Sequence, residues 1–166
     1  MRRFRWNRRQ TYAFGLAVLL LLLVSACELP GQSAAEEAKR YVTQMREPLA
    51  RFSGWLGDLK ELYGNADKGD LMATACTTGR LESLVAEGAA AVADMKAVQP
   101  PKAVASIHNE VVAKGSGLVE KLRQVKTLLC ESGDTAAARR ALDEVGTATD
   151  ELGGWLQKLS PWLKGG

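Results

Sequence analysis

The chain has 166 residues, which is enough material for one domain. Hydrophobic residues make up 46% and charged residues 25%, a balance that excludes a disordered chain and is typical of a globular protein. Aromatic residues make up only 6%, so the core consists mainly of aliphatic and alanine side chains. Such a core favours closely packed helices over a β-sandwich.

The formal net charge of +3 comes from the N-terminus alone. Residues 1–27 contain five arginines and no lysine, aspartate or glutamate, so 17 of the 22 basic residues remain beyond them against 19 acidic ones. The remaining chain is therefore acidic by about two charges. The chain beyond residue 27 therefore lacks the net positive charge that would support a nucleic-acid partner.

Residues 1–26 have the organisation of a secretory signal peptide. The arginines are followed by an uninterrupted run of 14 small or apolar residues, Ala13 to Ala26. A transmembrane helix needs ~20 such residues, so this run is too short to span a bilayer comfortably. We therefore predict a signal peptide over residues 1–26, with export from the cytoplasm.

The run ends in Val24-Ser25-Ala26-Cys27, which resembles the lipobox of bacterial lipoproteins. The resemblance implies a lipoprotein precursor that is cleaved before Cys27, with diacylglycerol on the Cys27 sulfur and palmitate or a similar acyl chain as the lipid anchor. The protein would then be extracytoplasmic and attached to the cell membrane or the outer membrane of the cell envelope. The alternative is an ordinary cleaved signal peptide followed by a chance cysteine.

The turn-rich residues after the anchor predict a tether over residues 27–33 and a helical domain over residues 34–166. Within that domain, apolar residues recur at spacings of three and four in four segments: 38–63, 81–98, 104–129 and 138–163. Short connections between such segments predict an all-α, up-down-up-down four-helix bundle.

Helix boundaries are marked by glycine, proline and aspartate. Pro100-Pro101 is expected to end the second helix and to lie in the first turn of the third, and Asp134 is expected to cap the fourth. Pro48 is expected to kink or interrupt the first helix. Thr77-Thr78-Gly79 weakens the start of the second helix, which Asp67 or Asp70 would otherwise cap.

Cys76 and Cys130 are the cysteines that remain beyond Cys27. An even number in an oxidising compartment predicts a disulfide, and closing a loop of this length stabilises a fold by roughly 4 kcal/mol in the chain-entropy model. Two buried free thiols are the alternative. Two cysteines and one histidine fall short of a structural zinc tetrad.

His108 is the single histidine, and it lies beside the apolar stripe of its helix. General-base chemistry would also require a nucleophile or an orienting carboxylate, and the sequence around it offers neither pattern. We interpret His108 as a structural residue. No catalytic, metal-binding or cofactor-binding motif is found, so we expect no cofactor and no enzymatic activity.

A short repetition places tryptophans near the ends of the first and fourth helices. Gly54-Trp55-Leu56 recurs as Gly154-Trp155-Leu156, and Trp162 follows one heptad later. These three tryptophans either widen the buried face of the bundle or form a patch for a partner, an apolar ligand or the lipid interface.

Two functions are consistent with these features. The first is a lipid-anchored, non-catalytic module that binds an envelope protein or takes part in envelope assembly. The second is a ligand-binding or sensor bundle with an interior cavity, suggested by the small residues at 88–91 and 115–117.

Overall fold

The computed structural model describes residues 30–64 and 71–164, with side chains from 34–64 and 74–163. The chain divides into two compact units, residues 1–36 and 37–166. Of the first unit only residues 30–36 are described, and they form the start of a helix. The predicted signal peptide and Cys27 lie outside the described residues.

Five α-helices account for most of the described chain. They are α1 (Pro30–Gly64), α2 (Leu71–Thr77), α3 (Arg80–Ala97), α4 (Ala105–Lys126) and α5 (Thr135–Lys164), and a π-helical turn over Thr127–Glu131 follows α4. No strand occurs in residues 30–64 or 71–164. The all-α prediction is confirmed, with five α-helices rather than four.

α1 is longer and more continuous than its sequence predicts. It begins at Pro30, so residues 30–33 are helical and do not form a turn-rich tether. Proline is favourable in a first turn, where its missing N–H is not required as a donor. Pro48 lies inside α1, so of the two expectations for this residue, a kink or an interruption, the interruption is wrong.

α2 and α3 replace the single second helix that the apolar spacing predicted. Gly79 separates them with φ 69°, a left-handed conformation that glycine adopts without steric cost. The Thr78 N–H donates to Thr74 O at 2.9 Å and the Gly79 N–H to Cys76 O at 3.1 Å, which closes the end of α2. The weak helix start noted at Thr77-Thr78-Gly79 is therefore a complete interruption.

The connections on either side of α4 differ in how well the sequence predicted them. Val104 N–H donates to Pro101 O at 3.0 Å in a turn, so α4 begins at Ala105 and not at the two prolines. Asp134 does cap α5, because its Oδ1 accepts a hydrogen bond from the Ala137 N–H at 2.9 Å.

The core of residues 37–166 is largely aliphatic and draws on all five helices. Its largest fully buried side chains are Met45, Phe52, Leu59, Leu81, Leu84, Met95, Val104, Val111, Leu118, Leu122, Leu152 and Leu159. α1 supplies most of the aromatic surface. Phe52 closes the space beside Gly115 of α4, where an added Cβ would lie 3.1 Å from its ring.

Ion pairs join the helices around this core. They connect α1 to α3 (Arg51–Asp94, 2.8 Å; Asp58–Arg80, 3.5 Å), α1 to α5 (Lys60–Asp150, 4.0 Å), α3 to α4 (Glu82–Lys126, 3.7 Å) and α4 to α5 (Lys121–Glu144, 2.6 Å; Lys114–Glu151, 3.4 Å). All are solvent-exposed pairs, each of which contributes little to stability. These ion pairs show which parts of the helices lie next to each other.

Candidate functional site

An open cleft of about 720 Å³ lies between the early part of α1 and the turn from α3 to α4. It is lined by Glu37, Arg40, Tyr41, Gln44, Ala97, Val98, Gln99, Pro100, Pro101 and Lys102. The prolines keep the turn from continuing as a helix, which leaves the cleft unfilled. The cleft therefore combines a short apolar wall with polar and charged side chains.

The charged side chains of the cleft are Glu37, Arg40 and Lys102. Within the part of the chain that the structure describes, none of the three makes an ion pair. An unpaired charge keeps its capacity for a new partner, so this rim offers donors and an acceptor to a polar surface.

Tyr41 and His108 form a buried polar pair beside the cleft. Each side chain is 2% exposed, Tyr41 Oη lies 3.0 Å from His108 Nδ1, and the rings meet edge to face at 5.8 Å. Burial raises the pKa of Tyr41 to about 12 and lowers the pKa of His108 below its ordinary value. The pair is therefore neutral at physiological pH, with the phenol O–H donating to Nδ1 when the imidazole proton is on Nε2.

His108 contacts Tyr41 and not a described carboxylate or nucleophile. A neutral, buried tyrosine carries no negative charge to stabilise the imidazolium that a general-base histidine becomes when it accepts a proton. The geometry fits the structural interpretation of His108. Among the described residues, no group of three or more histidine, cysteine or acidic side chains is arranged to hold a metal ion.

Trp55 does not belong to the tryptophan patch that the sequence suggested. It is 3% exposed, and its Nε1–H donates to Leu84 O of α3 at 2.8 Å. Its ring covers Gly88, where an added Cβ would lie 2.3 Å from Trp55 Cζ2. The patch prediction is wrong for Trp55 because a glycine on the neighbouring helix makes room for the indole inside the core.

Trp155 and Trp162 have different environments from Trp55. Trp155 is half-buried, with Lys158 Nζ 3.9 Å and Lys114 Nζ 5.9 Å from the ring centroid. Trp162 is 43% exposed and is the large hydrophobic side chain that protrudes from the described surface. These two α5 residues remain candidates for a contact surface.

Cys76 and Cys130 lie together, with their Sγ atoms 2.00 Å apart and their Cα atoms 5.5 Å apart. This matches the predicted pairing and is the geometry of a disulfide. Cys76 is half-buried near the end of α2, and Cys130 is exposed in the π-helical turn. The disulfide therefore joins α2 to the π-helical turn that follows α4.

The small residues that suggested an interior cavity are covered by aromatic side chains instead. Trp55 fills the space beside Gly88, and Phe52 with Val92 fills the space beside Gly115. The prediction of an interior cavity at 88–91 and 115–117 is therefore wrong at these glycines.

Sequence analysis did not identify two features of this region. The partnership of Tyr41 with His108 joins residues separated by 67 positions, and no local pattern signals it. The cleft also went unnoticed, although Pro100-Pro101 marked the turn that forms one of its walls.

None of the helices in the described residues is both long enough and apolar enough to cross a bilayer. Comparison with protein-family models, with curated proteins and with solved structures finds no match to this chain.

Proposed function

We propose that this chain is a bacterial lipoprotein whose helical domain is held outside the cytoplasm by lipid on Cys27. The observation that carries the proposal is Val24-Ser25-Ala26-Cys27 at the end of a 14-residue apolar run that follows five arginines. Two or more acyl chains, at about 0.8 kcal/mol per buried methylene, give stable anchoring.

The cysteine pair supports this location. Disulfides persist in oxidising compartments and are rare in the cytosol, and the Sγ atoms of Cys76 and Cys130 are at bonding distance. Cys27 would then carry the lipid anchor, and Cys76 and Cys130 would form the disulfide of the helical domain.

We also propose that α1, α3, α4 and α5 form an up-down-up-down four-helix bundle with α2 as an added short helix. The order of the contacts supports this arrangement. Along α1 the residue numbers of the ion pairs increase while those of their α3 partners decrease, from Arg51–Asp94 to Asp58–Arg80. The ion pairs between α4 and α5 also run in opposite directions, from Lys114–Glu151 to Lys121–Glu144.

Lipidation is tested by metabolic labelling with palmitate in an expressing bacterium. The full chain should incorporate label and sediment with membranes, and Cys27→Ala should lose both properties. Cys76→Ala is the matched control, because it removes a cysteine of the domain and should keep the label. Equal labelling of the full chain and Cys27→Ala would contradict the proposal.

The role that we propose for the anchored domain is non-catalytic binding of an envelope protein through the cleft. The unpaired Arg40, Lys102 and Glu37 support this role, because an open cleft with charges of both signs suits a polar protein surface. A nucleic-acid partner is not proposed, since the chain beyond residue 27 is acidic.

Partner binding is tested by a photoreactive amino acid at Gln99 in the cleft, in intact cells. We expect one discrete crosslinked product that is lost on the charge reversal Lys102→Glu. The same reagent at Thr147, an exposed residue of α5, is the control and should give no such product. An uncrosslinked monomer from both positions would contradict a partner at the cleft.

A ligand-binding or sensor role is the second candidate, and the volume of the cleft favours it. About 720 Å³ lies within the range of small-molecule sites. Native mass spectrometry of the membrane-extracted chain should then detect a retained small molecule that is missing from Lys102→Glu. A chain mass without adduct in both would exclude a tightly bound ligand.

A further inference from the structure

One end of the domain carries several cations that have no carboxylate partner in the described structure. We name it the cleft end and define it as residues 37–46, 94–110 and 155–163. It carries Lys39, Arg40, Arg46, Lys96, Lys102 and Lys158, against the carboxylates Glu37, Asp94 and Glu110. In the described structure none of these six cations lies within 4.0 Å of a carboxylate oxygen, whereas Asp94 is paired with Arg51 of α1.

The opposite end, which we name the disulfide end, comprises residues 58–64, 74–87 and 120–144. Five of its cations contact carboxylates of the same chain: Lys60, Arg80, Lys121, Arg123 and Lys126. Acidic residues also outnumber basic ones in these segments. In the described residues, cations of the disulfide end thus contact carboxylates more often than those of the cleft end, with Arg139 and Arg140 as the exceptions.

Aromatic surface accompanies this positive charge. Trp162 is 43% exposed, and the Lys158 ammonium lies 3.9 Å from the Trp155 ring centroid one heptad earlier. Tryptophan and lysine side by side are the residues that occupy the headgroup level of membranes, because each combines apolar surface with a polar or charged tip.

The contacts of α5 assign Trp162 to the cleft end. Lys114 of α4 pairs with Glu151 and lies near the Trp155 ring, while Lys121 pairs with Glu144. Helices α4 and α5 therefore run in opposite directions. α4 begins nine residues before Lys114. Trp162, seven residues beyond Trp155, falls level with the start of α4, which bears His108 beside the cleft.

The proposed lipid anchor sets an upper limit on the distance between the cleft end and the bilayer. Cys27 lies ten positions before Glu37, the first residue of the domain's compact unit. A chain of ten residues spans at most about 35 Å when fully extended. The anchor therefore keeps the cleft end within reach of the lipid headgroups, and negatively charged lipids attract cations at about 1 kcal/mol each.

We infer that the cleft end is a membrane-contacting face, on which Trp162 enters the headgroup region while Lys39, Arg46 and Lys96, the exposed cations outside the cleft lining, bind anionic phospholipid. This inference depends on the proposed lipidation of Cys27, and it adds the orientation of the domain at the bilayer. The occupant of the face is the surface of the membrane to which the chain is anchored.

The test uses the mature lipidated chain, extracted from membranes and reconstituted in vesicles of equal parts phosphatidylcholine and phosphatidylglycerol. Phosphatidylcholine with bromine on the upper acyl carbons quenches tryptophan emission on contact. We expect quenching in the wild type that is largely lost in Trp162→Phe, because Trp55 is buried and Trp155 is half-buried. Trp155→Phe is the matched control and should retain it, because Trp162 is unchanged.

A second arm tests the charges. Lys39→Gln with Lys96→Gln should lower the population in lipid contact by up to about fivefold for each cation removed. Arg139→Gln removes an exposed cation of the disulfide end and should leave quenching unchanged. Vesicles of phosphatidylcholine alone should reduce the wild-type signal in the same direction.

Failure of this inference differs from failure of the lipid anchor. Co-flotation with vesicles but no quenching of Trp162 would overturn the membrane-contacting face and leave the anchor intact. A crosslinked dimer with Trp162 protected from brominated lipid would identify a second copy as the occupant and would also overturn it. A chain with unmodified Cys27 that does not co-float would overturn the proposed function.

Discussion

The cleft end and the disulfide end of the domain are closed in different ways. At the disulfide end, Cys76 and Cys130 are at bonding distance and most cations contact carboxylates of the chain itself. At the cleft end, the contacts across helices include the buried Tyr41–His108 pair, and the cations remain unpaired. One end satisfies its own charges, whereas the other keeps charge and aromatic surface for contacts outside the chain.

The largest effect should come from opening the disulfide end. Replacing both Cys76 and Cys130 by alanine should lower the free energy of unfolding by about 4 kcal/mol, because the unfolded chain regains the entropy of a 54-residue loop. Denaturant unfolding measures the change, and the reduced wild type serves as the control. Free thiols at Cys76 and Cys130 in the extracted protein, together with equal free energies of unfolding for the wild type and the double variant, would contradict this prediction.

Gly88, between the two ends, should respond next most strongly. Gly88→Ala places a Cβ 2.3 Å from Trp55, whose indole is held by its bond to Leu84 O, so overpacking should cost about 1–3 kcal/mol. Gly117→Ala is the matched control, because open space surrounds that helical glycine and stabilisation by about 0.5–1 kcal/mol is expected. Equal shifts in thermal midpoint for both variants would show that Trp55 is not locked against α3.

The cleft end should weaken at acidic pH. Burial lowers the pKa of His108 in the folded state, so the unfolded state binds its proton first. Stability is therefore complete above about pH 6.5 and is lost as pH falls, by at most about 1.4 kcal/mol per pH unit.

Urea unfolding between about pH 7.5 and 5 measures this dependence, above the range in which carboxylates titrate strongly. His108→Gln is the control and should show a flatter profile over the same range. Parallel profiles for wild type and variant would mean that His108 is equally easy to protonate in both states.

The smallest expected effects on the free energy of unfolding come from replacing single cations, and they should differ between cations with and without a carboxylate partner. Lys126 lies 3.7 Å from Glu82 and 3.9 Å from Glu131, so Lys126→Gln should cost about 0.2–1 kcal/mol, and less in high salt. Lys96→Gln at the cleft end should leave the free energy of unfolding nearly unchanged. A larger loss from Lys96→Gln would contradict the proposed division of charge.

The helical class was predictable because apolar spacing reports directly on the face that a helix buries. Asp134 was likewise predictable as a cap, since its side chain acts on the backbone three residues later. The helix start at Pro30 was not, because turn-forming residues can also occupy a first turn. In each case the outcome depended on whether the controlling contact was local.

The site depended on contacts between distant parts of the chain. Trp55 and Trp155 occupy the same sequence motif, yet Trp55 is buried because Gly88 of α3 leaves space for it, while Lys158 covers Trp155 at the surface. The motif alone does not distinguish these environments. His108 similarly acquires its partner from α1, which the pattern of its own helix does not specify.

The central claim is that the mature chain begins at a lipidated Cys27. Mass spectrometry of the protein extracted from membranes of an expressing bacterium tests it most directly. We expect an N-terminal peptide that starts at Cys27 and carries diacylglycerol on the sulfur. An unmodified Cys27 that is still joined to Ala26 in the mature protein would contradict the account.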